Sequence, residues 1–204
     1  MTRRPGAHWI LATTNPGKLA EYRQLFSDSR LRLDALEPSS IAAPEETGLT
    51  FVENALIKAR HAARVSGKPS IADDSGLCVA ALGGQPGVRS ARYAGPEASD
   101  TDNVERLLEA LEGVEDEHRQ AEFHCVIVAL VAPEDPAPLI ATGSWRGWIA
   151  PSPRGRRGFG YDPVFFDTDL GMTAAELTPE KKNSVSHRGR ASRELKRLLG
   201  RDHA

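Results

Sequence analysis

The stretch Ser70-Ile71-Ala72-Asp73-Asp74-Ser75-Gly76-Leu77 constrains this chain more than any other. A short apolar run leads directly into two adjacent carboxylates, a small polar residue and a glycine. The run predicts a buried strand. A buried strand that ends in an Asp-Asp pair is unfavourable unless positive charge sits beside it. Hydrated Mg²⁺ would offset that penalty, because hard cations take carboxylate oxygens. The plainer alternative is a strand end capped by an Asx-turn, which Asp and Ser also favour. Gly76 would let the backbone turn sharply beside the pair.

Upstream, His8 to Thr13 is an almost continuous apolar run and predicts a first strand. Thr14-Asn15-Pro16-Gly17-Lys18 then opens a helix, with Asn15 as cap and Pro16 at the first helical position. Leu19, Tyr22, Leu25 and Phe26 give that helix one apolar face. A strand, a polar turn and a helix N-terminus bearing Lys18 make a ready anion site, although the Walker glycines and Lys-Ser/Thr pair are missing. The alternative is a merely solvated lysine. Leu31–Leu36 alternates as a less buried strand, and 37–48 is loop-like, with adjacent Glu45 and Glu46. Thr50 and Glu53 form a capping box for a helix from Phe51 to about Ser66. On it Asn54 and Lys58, four apart, share a face and can reach toward a phosphate or lie on an ordinary exposed stripe.

Downstream, Gly87–Tyr93 carries Arg89 and Arg92, and Val104, Leu107, Leu108 and Leu111 mark a further helix. Phe123–Val131 and Leu139–Ile149 read as a hairpin with a long connection, and 151–158 as a mobile basic loop. Phe159-Gly160-Tyr161-Asp162-Pro163 offers a flat aromatic wall with close backbone access, suited to stacking a base, or else simple core and turn residues. Thr173–Leu177 predicts a short helix, Pro179–Lys182 a turn, and Ser186-His187-Arg188 the start of the last helix. A cation in that first turn opposes the helix dipole and points to an acidic or electron-rich neighbour.

The 204 residues fit one large domain or two intimate lobes. A net charge of -2 gives no global basic field for nucleic acid. The two cysteines, Cys78 and Cys125, are flanked by apolar residues and read as buried thiols in a reducing compartment. The basic start lacks a signal-peptide core, and no apolar stretch is long enough to span a bilayer, so a cytoplasmic protein without membrane attachment is expected.

Taken together these segments resemble the inosine triphosphate pyrophosphatase (Ham1-like) family. The resemblance rests on residues 13–18, Glu45-Glu46-Thr47-Gly48, Phe51–Ala55 with Lys58-Ala59, Ala72–Leu77, Gly87 with Ser90–Tyr93, Gly158–Pro163, Ala175-Glu176-Leu177 and Ser186-His187-Arg188. They fall in the family's order from about residue 9 to residue 199. The resemblance implies an α/β fold with a central mixed, elongated sheet flanked by helices. It implies an extension over 1–8, then one domain over 9–200 whose two lobes hold the nucleotide in a cleft between them. It further implies a homodimer, a requirement for Mg²⁺ and no stable nucleic acid partner. Asp74 would be the catalytic acid, with Glu45 joining it around the metal. Thr13, Thr14, Asn15, Pro16, Gly17, Lys18 and Ser75 would hold the triphosphate. Phe159, Gly160, Tyr161, Asp162, Lys182, His187 and Arg188 would surround base and sugar. Met172, where a lysine is common, and the arginine-rich 154–157 loop depart from the family pattern.

The implied reaction is hydrolysis of ITP, dITP or XTP between the α and β phosphorus atoms, clearing non-standard purines from the nucleotide pool. Lys18 and Lys58 would neutralise charge in the transition state, and Asp74 would position water. Hypoxanthine and xanthine present O6 as acceptor and N1–H as donor, the reverse of adenine. A donor such as Arg188 toward O6 would therefore disfavour adenine by about 1–3 kcal/mol. The rivals are a pyrophosphatase for modified pyrimidine or ordinary nucleotides, and a nucleotide- or RNA-binding regulator without turnover.

Overall fold

The computed structural model describes residues 8–28, 31–35 and 44–201. Seven strands form one sheet in the order β2-β1-β3-β4-β5-β6-β7. They are β1 (His8–Leu11), β2 (Arg32–Ala35), β3 (Ser70–Val79), β4 (Gln120–Leu130), β5 (Leu139–Ile149), β6 (Phe165–Asp167) and β7 (Met172–Thr173). β1 runs parallel to both β2 and β3, whereas β6 is antiparallel to β5 and β7. The sheet is therefore mixed, and the fold is α/β as expected.

Parallel neighbours need crossovers, and helices supply them. α1 (Pro16–Leu25) joins β1 to β2, and α2 (Phe51–Ser66) precedes β3. Local chemistry starts both. The Asn15 side chain accepts the Lys18 N–H at 2.9 Å, with Pro16 behind it. Thr50 and Glu53 close a reciprocal capping box, and α2 ends at Gly67 with φ of 64°. The remaining helices are α3 (Asp100–Ala110), α4 (Pro179–Val185) and α5 (His187–Arg201). Among the described residues no helix is long and apolar enough to cross a membrane.

The chain divides into two compact units, and the breaks fall inside β3, β4 and β5 and in the first turn of α5. The first contains residues 1–74, 125–143 and 188–204. Its core sets Trp9, Leu11 and Ile71 with Tyr22 and Phe26 from the α1 segment and Ala191 and Leu195 of α5. A separate cluster sets Ala55, Ala59 and Ala63 of α2 with Ala72, Val128 and Leu130, where small side chains allow close approach of helix to sheet. The second unit, 75–124 with 144–187, packs Phe123, Trp145, Tyr161 and Phe165 with Leu77, Leu107 and Leu111.

Four local expectations change. β3 does not end at the Asp pair but continues to Val79, and Gly76 takes no positive φ. Nearby cations stabilise the carboxylates, so strand pairing carries on and the turn comes later, at Ala80–Leu82, closed by Gly83 with φ of 61°. Pro179–Lys182, expected as a turn, opens α4, because Thr178 caps it and Pro179 suits the first turn. Thr173–Leu177 is shorter than expected, a single 3-10 turn over Ala174–Glu176. The basic 151–158 segment is tied down: Arg154 N–H donates to Pro163 O at 2.8 Å, Arg157 N–H to Ala175 O at 3.1 Å, and Arg157 Nη1 to Glu176 O at 3.0 Å. The expected extension, apart from His8, and residues 37–43 of the expected loop lie outside the described residues.

Candidate active site

Side chains alternate along a strand, so Asp73 and Asp74 of β3 face opposite ways. Ile71 belongs to the cluster of α1 and α5, and Ala72 to the cluster of α2. The two carboxylates follow the same division. Asp73 Oδ2 accepts from Lys18 Nζ at 2.9 Å and lies 3.9 Å from Arg188 Nη2. Asp74 Oδ1 accepts from Lys58 Nζ at 2.7 Å, and its Oδ2 lies 3.4 Å from Asn54 Nδ2. Lys18 comes from the first turn of α1, Arg188 from the first turn of α5, and Asn54 and Lys58 from one face of α2. The shared face read from their spacing is thus the face that meets Asp74.

The surroundings make the two carboxylates unequal. Burial alone would raise Asp73, but Lys18, Arg188 and Lys58 together hold it well below the usual carboxylate range. Burial raises Asp74 too, and Lys58 offsets only part of that, so Asp74 stays above its ordinary value. Asp73 is a fixed anion clamped by cations; Asp74 is the more proton-avid of the pair. Lys58 is raised, since Asp73, Asp74 and Glu46 outweigh its desolvation.

Two glutamates complete this group, and the sequence reading assigned a role to neither. Glu46 Oε1 accepts from Lys58 Nζ at 3.0 Å, whereas Glu45, the residue placed beside the metal by resemblance, is exposed. The two are adjacent in an irregular loop, where no periodicity tells which one turns inward. Glu21 Oε2 accepts from Arg188 Nη1 at 2.5 Å. Glu21 and Asp73 are the acidic neighbours that a cation at a helix N-terminus points to. The one local signal for Glu21 is its place beside Tyr22 at the edge of the apolar face of α1. Asn54 is fully buried; its Oδ1 accepts the Gly48 N–H at 2.8 Å, which directs its amide nitrogen to Asp74. It therefore ties the 46–48 turn to the strand. Thr14, Asn15 and Pro16 are exposed at the head of α1, and Thr13 Oγ1 accepts the Asn15 N–H.

The second unit gathers the aromatic residues. Asp162 Oδ2 accepts the Phe159 N–H at 2.9 Å and pairs with Lys182 Nζ at 2.5 Å, and Lys182 sits 5.0 Å from the Phe159 ring centre. Gly160 N–H donates to Asp100 Oδ2 at 2.7 Å, and Tyr161 donates its hydroxyl proton to Ser90 O at 2.9 Å. Phe159 is half-buried beneath the Lys182 ammonium group, while Tyr161 is buried. His187 is stacked on Phe123 at 4.6 Å and 10°, a packed position in the aromatic cluster. Ser75 is half-buried on β3.

Chemically, the first unit presents ammonium groups suited to phosphate oxygens beside carboxylates suited to a hard cation. Glu46 and Asp74 come from different segments and converge on one position, which Lys58 Nζ fills. Among the described residues no three His, Cys, Asp or Glu side chains are grouped to cage a metal. Magnesium shared with a nucleotide needs only one or two carboxylates, the phosphates and water giving the rest, so this donor set fits.

Fold and charge arrangement define an α/β protein whose central strand carries a carboxylate–lysine centre suited to polyphosphate chemistry. The chain belongs to the Ham1 family, which matches residues 9–198. It is 57% identical over 182 residues to a dITP/XTP pyrophosphatase of Yersinia pestis, covering 89% of this chain and 92% of the relative. It is 58% identical over 183 residues to a dITP/XTP pyrophosphatase of Methylococcus capsulatus, covering 90% and 91%. A solved HAM1 protein from Coxiella burnetii superposes with a TM-score of 0.88 at 50% identity, covering 96% of this chain and 99% of that one.

Proposed function

We propose that this chain hydrolyses non-standard purine nucleoside triphosphates, ITP, dITP and XTP, to the monophosphate and pyrophosphate. The observation that carries the reading is the central strand: two adjacent carboxylates, one clamped and one proton-avid, each bonded to a lysine from a different helix. Relatives named dITP/XTP pyrophosphatase over nearly the whole chain support it.

In this reading Asp74 orients the attacking water. Asp73 stays ionised and fixes Lys18 at the head of α1, where Lys18 and the 13–17 turn meet phosphate oxygens. Lys58 balances charge that develops on the phosphates. Asn54, being fully buried, acts by holding Asp74 and the Gly48 turn in register. Mg²⁺, when bound, would supply Lewis-acid polarisation of the phosphoryl oxygens and stabilise the leaving pyrophosphate. Asp74 would hold it with a carboxylate of the Glu45–Glu46 pair, of which Glu46 already shares Lys58 with Asp74. Ser75 belongs to the phosphate end. Phe159 stacks on the base, and Asp162 keeps Lys182 and the Phe159-Gly160-Tyr161 turn in place for it. Arg188 and His187 belong to base and sugar recognition, and Arg188 must exchange its Glu21 bond to reach a base oxygen. A cytoplasmic homodimer without a nucleic acid partner completes the proposal.

Phosphorus NMR of the products of ITP tests the reaction. Inosine monophosphate with pyrophosphate is expected, and Asp74→Asn should abolish their formation while circular dichroism stays unchanged. Inosine diphosphate with phosphate, or a fully active Asp74→Asn enzyme, would overturn the assignment.

A further inference from the structure

The ammonium group of Lys58 sits where a metal ion would be expected to sit. Its Nζ lies 2.7 Å from Asp74 Oδ1 and 3.0 Å from Glu46 Oε1, carboxylates on two separate segments. The Lys58 side chain is only 16% exposed, so bulk water screens this three-group cluster weakly. Lys18, by contrast, is bonded to Asp73, which also has Arg188 nearby. The two lysines are therefore not equivalent. Lys18 belongs to an ion cluster with Asp73 and Arg188 on one face of β3, and Lys58 is the cation shared by Asp74 and Glu46 on the other.

We infer that Lys58 is a built-in stand-in for the metal. It offsets part of the charge of Asp74 and Glu46 in the metal-free protein and gives up those bonds when a divalent cation arrives, which frees its ammonium group for the substrate phosphates. This rests on the function proposed above for its substrate, but not for its test. The stand-in has two uses. It keeps a buried and a half-buried carboxylate from repelling each other when no metal is present. It also weakens metal binding in the absence of nucleotide, because the ion must displace a bonded cation; the phosphates then reward the displacement by taking the released lysine.

The test is Mn²⁺ binding without nucleotide, read by electron paramagnetic resonance, for the unaltered protein and for Lys58→Met, Lys58→Arg and Lys18→Met. Lys58→Met should bind Mn²⁺ about ten-fold more tightly or better, since a neighbouring positive charge is gone from a weakly screened site. Lys58→Arg should stay near the unaltered protein, and Lys18→Met should change far less. Lys58→Met should also melt at a lower temperature in EDTA and recover on adding Mn²⁺. If the methionine variant does not fold, Lys58→Gln carries the same comparison. Affinity that fails to tighten, no Mn²⁺ binding by the Lys58 variants, or equal tightening in Lys18→Met would overturn the inference. Pyrophosphate release from ITP by the unaltered enzyme is scored separately. If release is present and Mn²⁺ affinity does not tighten, only the stand-in falls. If release is absent and affinity rises, the substrate reading falls and the stand-in survives.

Discussion

Asp73 and Asp74 are neighbours in sequence with different partners, and the alternation of a strand is what separates them. Asp73 is buried against Lys18 and Arg188, and Asp74 pairs with Lys58; the proposed function makes the first structural and leaves the second for chemistry. Removing the charge of Asp73 strands two cations in a buried place. Asp73→Asn is therefore expected to lower unfolding free energy by about 3 kcal/mol in urea titrations, in line with breaking buried ion pairs. A loss below about 0.5 kcal/mol, the range of ordinary surface changes, would show that Asp73 is not the anchor. Much of this centre was legible beforehand because its rules are local. The Asp pair after an apolar run, Lys18 behind an Asn-Pro cap, and Asn54 four residues before Lys58 all follow from short-range spacing. The rest was not. Glu21 and Arg188 meet across 167 positions of sequence, a pairing no local pattern encodes. That Glu46 rather than Glu45 bonds Lys58 is decided by an irregular loop, and the continuation of β3 past Gly76 by cations from other elements.

At the scale of elements, the helices matter as mounts. α2 carries both groups that meet Asp74, and its start is fixed by the Thr50–Glu53 box. Thr50→Ala should cost about 1 kcal/mol of stability by denaturant titration, the usual worth of an N-cap. The 158–162 turn is a second mount. Gly158 has φ of 77°, and a Cβ there would overlap the Asp162 Oδ2 that holds both Phe159 N–H and Lys182. Gly158→Ala should raise KM for ITP roughly ten-fold while kcat changes less, because the stacking wall is displaced and the carboxylate–lysine centre is not. An unchanged KM would separate this turn from base recognition. The sequence flagged the Gly-aromatic pattern but not its anchors: Asp100, 60 positions from Gly160, had no feature to distinguish it from any acidic residue in a helix first turn.

Over the whole molecule, the order of β1, α1, β2, α2 and β3 was readable from apolar runs alternating with capped helices, and a parallel arrangement follows from that alternation. The division into two compact units follows no local pattern, because its breaks fall within strands and a helix that look uninterrupted in sequence. The central claim is a pyrophosphatase selective for non-standard purines. The most direct test is pyrophosphate release from ITP, dITP, XTP, GTP, ATP and dTTP, each with and without Mg²⁺. The account expects fast, Mg²⁺-dependent release from ITP, dITP and XTP, with GTP, ATP and dTTP far behind. Equal release from all six, a preference for dTTP, or no release from any would contradict it.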